Sequence, residues 1–142
     1  QEATFDGAIT RHLAWTLTDP LAAYAAIFRV LKPGARLLII DGDWVSEGPR
    51  VRILRKLAKL IDGKDGQAGA DLERHKRILS QVPYANGLTP ERLRADLQAA
   101  GFADVTRHST LAVYLWGMRG AGLGDQLRLL APTRFAISAK RP

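Results

Sequence analysis

The chain has no cysteine. Disulfides, thiolate metal sites and thiol nucleophiles are thereby excluded, and the absence is compatible with the cytoplasmic location expected here. No apolar run approaches the roughly 20 residues of a membrane span, so no membrane partner is expected. The stretch from Gln1 to Arg11 has neither the basic start nor the apolar core of a secretory signal. It begins with Gln and not Met, and the natural start is expected elsewhere. Internal repeats and low-complexity tracts are lacking. His75 and His108 have no Glu or Cys at ligand spacing, which leaves no metal site to expect. Neither a Ser-His-Asp arrangement nor a nucleophile elbow occurs.

What is present is ordinary for one globular domain able to bury a real core: 142 residues, 46% hydrophobic and 25% charged. The charge is lopsided, with 21 Lys and Arg against 14 Asp and Glu, a net charge of +7. Such an excess fits a polyanionic partner, an acidic complement elsewhere in the protein, or a bias toward arginine. The basic residues scatter, and only Arg50, Arg52, Arg55, Lys56 and Lys59 cluster locally.

Local patterns alternate between strand and helix. Residues 4–10 suit a short strand with Phe5, Ala8 and Ile9 apolar. Thr18 or Asp19 can cap a helix that has Pro20 in its first turn, and Leu21, Tyr24, Ile27, Phe28 and Leu31 share one face of it. Lys32-Pro33-Gly34 ends the helix. Leu37 to Ile40 is an unbroken aliphatic run, which predicts a strand covered on both faces. Residues 45–88 read as a helical insertion that would form a lid. It has a helix from Pro49 through Ile61, with Ile53, Leu54, Leu57, Leu60 and Ile61 opposite the basic cluster, then a glycine-rich break from Asp62 to Gly69. A second helix from Asp71 to Gln81 completes it. Thr89-Pro90 opens a further helix ended by Gly101. Asp104 to Thr110 is a predicted strand, Leu111 to Trp116 extends it or forms another, and Arg134 to Lys140 is the last.

Two segments carry a family likeness: Phe5-Asp6-Gly7-Ala8-Ile9-Thr10-Arg11-His12 with the turn to Pro20, and Arg29-Val30-Leu31-Lys32-Pro33-Gly34-Ala35-Arg36-Leu37. Gly87-Leu88-Thr89-Pro90-Glu91-Arg92-Leu93 and Ala100-Gly101-Phe102 add to it. The chain resembles the C-terminal half of a class I methyltransferase of the type 11-like kind, which uses S-adenosyl-L-methionine (SAM). Ala35 replaces the family's second glycine. The resemblance implies an α/β, Rossmann-like fold with sheet order 3-2-1-4-5-7-6, of which this chain would supply strands 4-5-7-6, the last-formed strand antiparallel. It implies methyl transfer to an N, O or C atom of a small-molecule substrate, with the fragment alone inactive.

By that resemblance, Thr10, Arg11, His12 and Leu13 face the cofactor, largely through backbone groups. Asp41, Asp43 and Trp44 follow the next strand and face the acceptor. A carboxylate there could orient an amine or hydroxyl or accept a proton, or it could build a turn on Asp41-Gly42. Tyr84 either closes the pocket or packs in the core, and Trp15 either packs under the following helix or lines the cofactor. Gly120-Ala121-Gly122-Leu123-Gly124 is either a displaced cofactor loop or a flexible loop. Residues 4–10 would pair with a missing N-terminal half or a second chain, a homodimer being one such form. Two rival functions remain: a non-catalytic half-domain that binds a partner, and a basic nucleic-acid-binding module. The second is disfavoured because the basic helix lacks interleaved aromatics.

Overall fold

The computed structural model describes residues 2–46, 48–63 and 82–142. Four strands, β1 (Phe5–Arg11), β2 (Leu31–Asp43), β3 (Ala103–His108) and β4 (Thr133–Lys140), form one sheet in the order β1-β2-β4-β3. β1 runs parallel to β2, while β4 runs antiparallel to both β2 and β3. This is the 4-5-7-6 arrangement that the resemblance implies. All four strands therefore bring the same end of the sheet together: the carboxyl ends of β1, β2 and β3 and the amino end of β4.

The helices that cover the sheet begin where side chains satisfy their first amides. Asp19 accepts the Ala22 N–H at 3.0 Å to cap α1 (Pro20–Val30), and Thr89 accepts from Arg92 at 3.2 Å to cap α3 (Pro90–Ala99). Both helices have Pro at the first helical position, where the lost N–H is not needed. At the far end of α1, the Arg141 guanidinium donates to the carbonyls of Phe28, Arg29 and Leu31, so a residue beyond β4 closes the C-terminus of the first helix. The core lies between these helices and one face of the sheet. Tyr24, Leu31, Leu37, Ile39, Leu93, Leu97, Phe135 and Ile137 are almost fully buried in it.

The other face of the sheet departs from expectation. Leu37 and Ile39 are sealed off from solvent, but Leu38 and Ile40 are only half-buried, and Ile9, paired with Leu38, is 67% exposed. The aliphatic run of β2 is thus covered on one face by α1 and α3. On the other, nothing among the described residues builds a matching helical layer.

The remaining helices correct the pattern reading in two places. Leu111–Gly117 is helical (α4), not a strand, since an apolar run this short fits either state and only its packing decides. In α2 (Pro49–Asp62), the predicted apolar side is largely exposed, with Ile53 57%, Leu57 44%, Leu60 82% and Ile61 49% accessible. The buried positions are Val51 and Ala58, because α2 packs chiefly on α5 (Leu123–Leu130). The Arg128 guanidinium grips the Asp62 carboxylate across these helices through two bonds of 2.6 Å. The expected second helix from Asp71 to Gln81, most of the glycine-rich break and His75 lie outside the described residues. Val82, Tyr84 and Leu88 return to the core.

The glycine series at 120–124 is part of this packing. No strand leads into it, Gly122 caps α5, and a Cβ on Gly124 would fall on the Asp62 carboxylate. The displaced-cofactor-loop alternative is therefore set aside. Gly124→Ala is expected to pry Asp62 from Arg128 and cost about 1–3 kcal/mol by overpacking. Denaturant titration checks this, and an unchanged midpoint would show that the two helices do not meet as described.

Candidate functional site

The shared end of the sheet is where open α/β folds place their ligands. β1 stops at Arg11, and His12 takes a left-handed backbone conformation, φ 54°, that a non-glycine residue adopts only under constraint. Its N–H bonds to the Ile40 carbonyl at 3.0 Å, and its ring meets the Trp44 indole edge-on at 4.9 Å. The turn lifts Leu13 away from the sheet and brings Ala14 back over the end of β2. Trp15 packs against the core. Thr10 is half-buried, while Arg11, His12 and Leu13 are exposed along the rim.

Asp41 holds this corner together. It is 1% exposed, and its carboxylate accepts three hydrogen bonds: from Ala14 N–H at 2.8 Å, Gly42 N–H at 2.8 Å and Trp44 Nε1–H at 3.0 Å. One side chain thus ties the loop after β1 to the end of β2 and aims the indole. Gly42 makes room for that aim, because a Cβ there would stand 2.9 Å from the Thr133 carbonyl and 3.1 Å from the Trp44 ring. Asp43 is closer to the surface. Its Oδ1 accepts from Val45 N–H at 3.2 Å and Ser46 N–H at 2.9 Å, an Asx-type turn that carries the chain off the sheet.

Tyr84 is not at this rim, which corrects its assignment to the pocket. It is 3% exposed and donates to Asp96 Oδ2 at 2.7 Å, while Arg92 Nε reaches the same carboxylate at 3.1 Å. A buried phenol needs an acceptor, and α3 provides one in the core. The Tyr24 hydroxyl is buried beside this group but makes no hydrogen bond of ordinary geometry. Burial foremost pushes the Tyr24 phenol up from 10.0 to about 12, and Tyr84 is raised further by burial and its bond to Asp96. A phenol whose pKa rises on folding stabilises fully below its unfolded value and loses that contribution as pH climbs through the folded one. The melting temperature should accordingly fall between pH 10 and about 12. Tyr24→Phe should flatten the fall, and parallel curves for the two proteins would count against this assignment.

Further along the same rim lies a cleft of about 480 Å³ that no sequence pattern announced. Arg50, Arg107, His108, Ser109, Tyr114 and Arg134 contribute to its wall. They come from positions far apart in the chain, which is why spacing could not find them. Arg134 sits between the two regions: its guanidinium is 5.2 Å from the Trp44 ring centroid and 4.4 Å from that of Tyr114. Burial, and secondarily the Arg11 charge, pull its pKa down.

A family model described as a methyltransferase domain matches residues 1–39, the stretch containing β1, its rim and α1. The chain is similar to part of a class I SAM-dependent methyltransferase domain. An uncharacterized methyltransferase of Mycobacterium tuberculosis is 33% identical over 90 residues, covering 56% of this chain and 33% of that protein. A Mycobacterium bovis counterpart matches to the same extent. The chain thus spans about a third of the length of the curated relatives it matches. Phosphoethanolamine N-methyltransferase 2 of Haemonchus contortus aligns with a TM-score of 0.53 and 14% identity, over 100% of this chain and 34% of that one. A putative sarcosine dimethylglycine methyltransferase from Galdieria sulphuraria gives 0.53 and 12%, over 99% and 54%. At such identities these likenesses show the fold of the methyltransferase domain and nothing about its substrates.

Proposed function

We propose that this chain forms the acceptor-side wall of a SAM-dependent methyltransferase that acts on a small molecule. The observation that carries the reading is the corner built on Asp41, which fixes the rim at residues 10–13 against Trp44 at the carboxyl end of a parallel strand pair. The rim suits a cofactor held by position, since Thr10, Arg11, His12 and Leu13 stand at the end of β1 in a backbone conformation locked by neighbours. SAM would supply an electrophilic methyl group on a sulfonium, and no covalent enzyme intermediate is then needed. The work left to this chain is to align the acceptor and exclude water.

In this reading Asp41 is a positioning residue, its oxygens committed to protein donors. Asp43 and Trp44 are the groups that face the acceptor. A proton leaving an N or O acceptor could pass to Asp43, whose Oδ2 makes no hydrogen bond among the described residues. The same reading places the chain in the cytoplasm. The rest of the cofactor's contacts would come from parts of the methyltransferase fold beyond these strands.

S-adenosylhomocysteine titrated into residues 1–142 tests this by amide NMR. It should shift residues 10–13 and 41–44, with a dissociation constant of about a millimolar or weaker, and Arg11→Ala should weaken it further. Shifts elsewhere and none at this corner would defeat the proposal. Micromolar binding would show that the pocket is complete within this chain.

A further inference from the structure

We propose that the cleft between Arg50, Arg107 and Arg134 binds a small-molecule anion, the carboxylate or phosphate of the methyl acceptor. As an acceptor subsite it rests on the methyltransferase reading above; as an anion site it stands on its own lining. The cleft's volume, about 480 Å³, lies in the range of small-molecule sites. Its wall contains three arginines and His108 but no carboxylate among the described residues.

Two arginines elsewhere in the chain pair with acids, Arg92 with Asp96 and Arg128 with Asp62. Two of those lining the cleft, Arg50 and Arg134, are held by neutral groups instead. Arg50 Nη2 donates to the Leu130 carbonyl at 3.2 Å and Arg134 Nη1 to the Leu129 carbonyl at 2.5 Å. Carbonyls orient a guanidinium without cancelling its charge. The Arg134 Nε–H is moreover buried with no acceptor. A buried orphan donor on a cation is costly, and the burial that pulls the Arg134 pKa down is a cost that a counter-charge would offset. An anion in the cleft would supply that charge, and guanidinium forks bind carboxylate and phosphate oxygens in pairs. Ser109 accepts from Leu111 N–H at 3.3 Å and keeps its own hydroxyl proton to offer.

Position ties the cleft to the transfer site. Gly42 on β2 pairs with Arg134 on β4, and Ala136 farther along β4 pairs with His108 on β3. With strands about 4.8 Å apart, the end of β3 lies roughly 10 Å from the end of β2. An acceptor anchored here by its anionic group would place an atom a few bonds away beside Trp44. The specificity follows: a charged acceptor is held at a distance from the reacting atom, and a neutral analogue is not.

The test is amide NMR on the 142-residue chain with phenyl phosphate, benzoate and uncharged benzyl alcohol. Both anions should saturably shift residues 107–111 and 132–134, and benzyl alcohol should not. A tighter phenyl phosphate would identify the phosphate as the natural group, a tighter benzoate the carboxylate. Arg107→Gln, at an exposed position, should weaken binding about tenfold or more by removing one guanidinium fork. Arg52→Gln, on α2 outside the cleft, should leave it unchanged. The proposal is overturned by equal shifts from benzyl alcohol, by no saturable shift, or by shifts centred on Arg52, Arg55 and Lys56, which would mark a diffuse polyanion surface. S-adenosylhomocysteine run in parallel separates the two claims. Its response at residues 10–13 without anion binding at the cleft overturns this proposal alone. Anion binding without that response supports the cleft and overturns the cofactor reading.

Discussion

Asp41→Ala should destabilise the chain by about 3–5 kcal/mol, because it strands three donors at a site closed to water. The Ala14 and Gly42 amides and the Trp44 indole N–H all lose their acceptor at once. Asp41→Asn is the sharper variant. Its amide oxygen can still serve Gly42 and Trp44, but its NH₂ must then point at the Ala14 N–H, donor against donor. About 1–3 kcal/mol should be lost, with the loop after β1 loosened and the sheet intact. Denaturant unfolding measures the first effect, and amide exchange at Ala14 and Thr16 the second. If instead both variants kept wild-type stability and affected only turnover of an intact enzyme, Asp41 would be a catalytic group and not a positioning one.

The second large effect concerns the open side of β1. Among the described residues this strand pairs with β2 on one side only, and Phe5 and Ile9 are 52% and 67% exposed on it. Unpaired strand edges with apolar side chains recruit other strands. The isolated chain should therefore assemble, as a dimer or a higher species, through residues 5–10. Introducing charge with Ile9→Lys should shift sedimentation toward the monomer, since an edge lysine must be desolvated for a neighbour to pair. A chain that sediments as a monomer at high micromolar concentration, with fast amide exchange at residues 5–9, would show that the edge is tolerated bare.

Much of the fold was legible because its signals are local. Asp19-Pro20 and Thr89-Pro90 announced two helix starts by chemistry that acts within one turn. The order of elements, together with the phrase from Arg29 to Leu37, was enough for the class of sheet. Other readings failed where a pattern has two physical outcomes. Leu111 to Trp116 is apolar throughout, and such a run carries no period to separate helix from strand. In α2 the apolar stripe is real, but a stripe says only that a face is available and not which neighbour arrives.

Sequence alone determined the strand–helix–strand start, the caps, the exclusion of thiol chemistry and the position of the rim at residues 10–13. Tertiary structure decided everything that depends on groups distant in the chain. It spent the carboxylate of Asp41 on Ala14, 27 residues away, and put Tyr84 in the core against Asp96. It also gathered Arg50, Arg107 and Arg134 around one cleft. The physical reason is common to all three cases. A polar side chain's role is set by which partners remove its desolvation cost, and those partners are chosen by the packing of the sheet and helices, not by spacing along the chain.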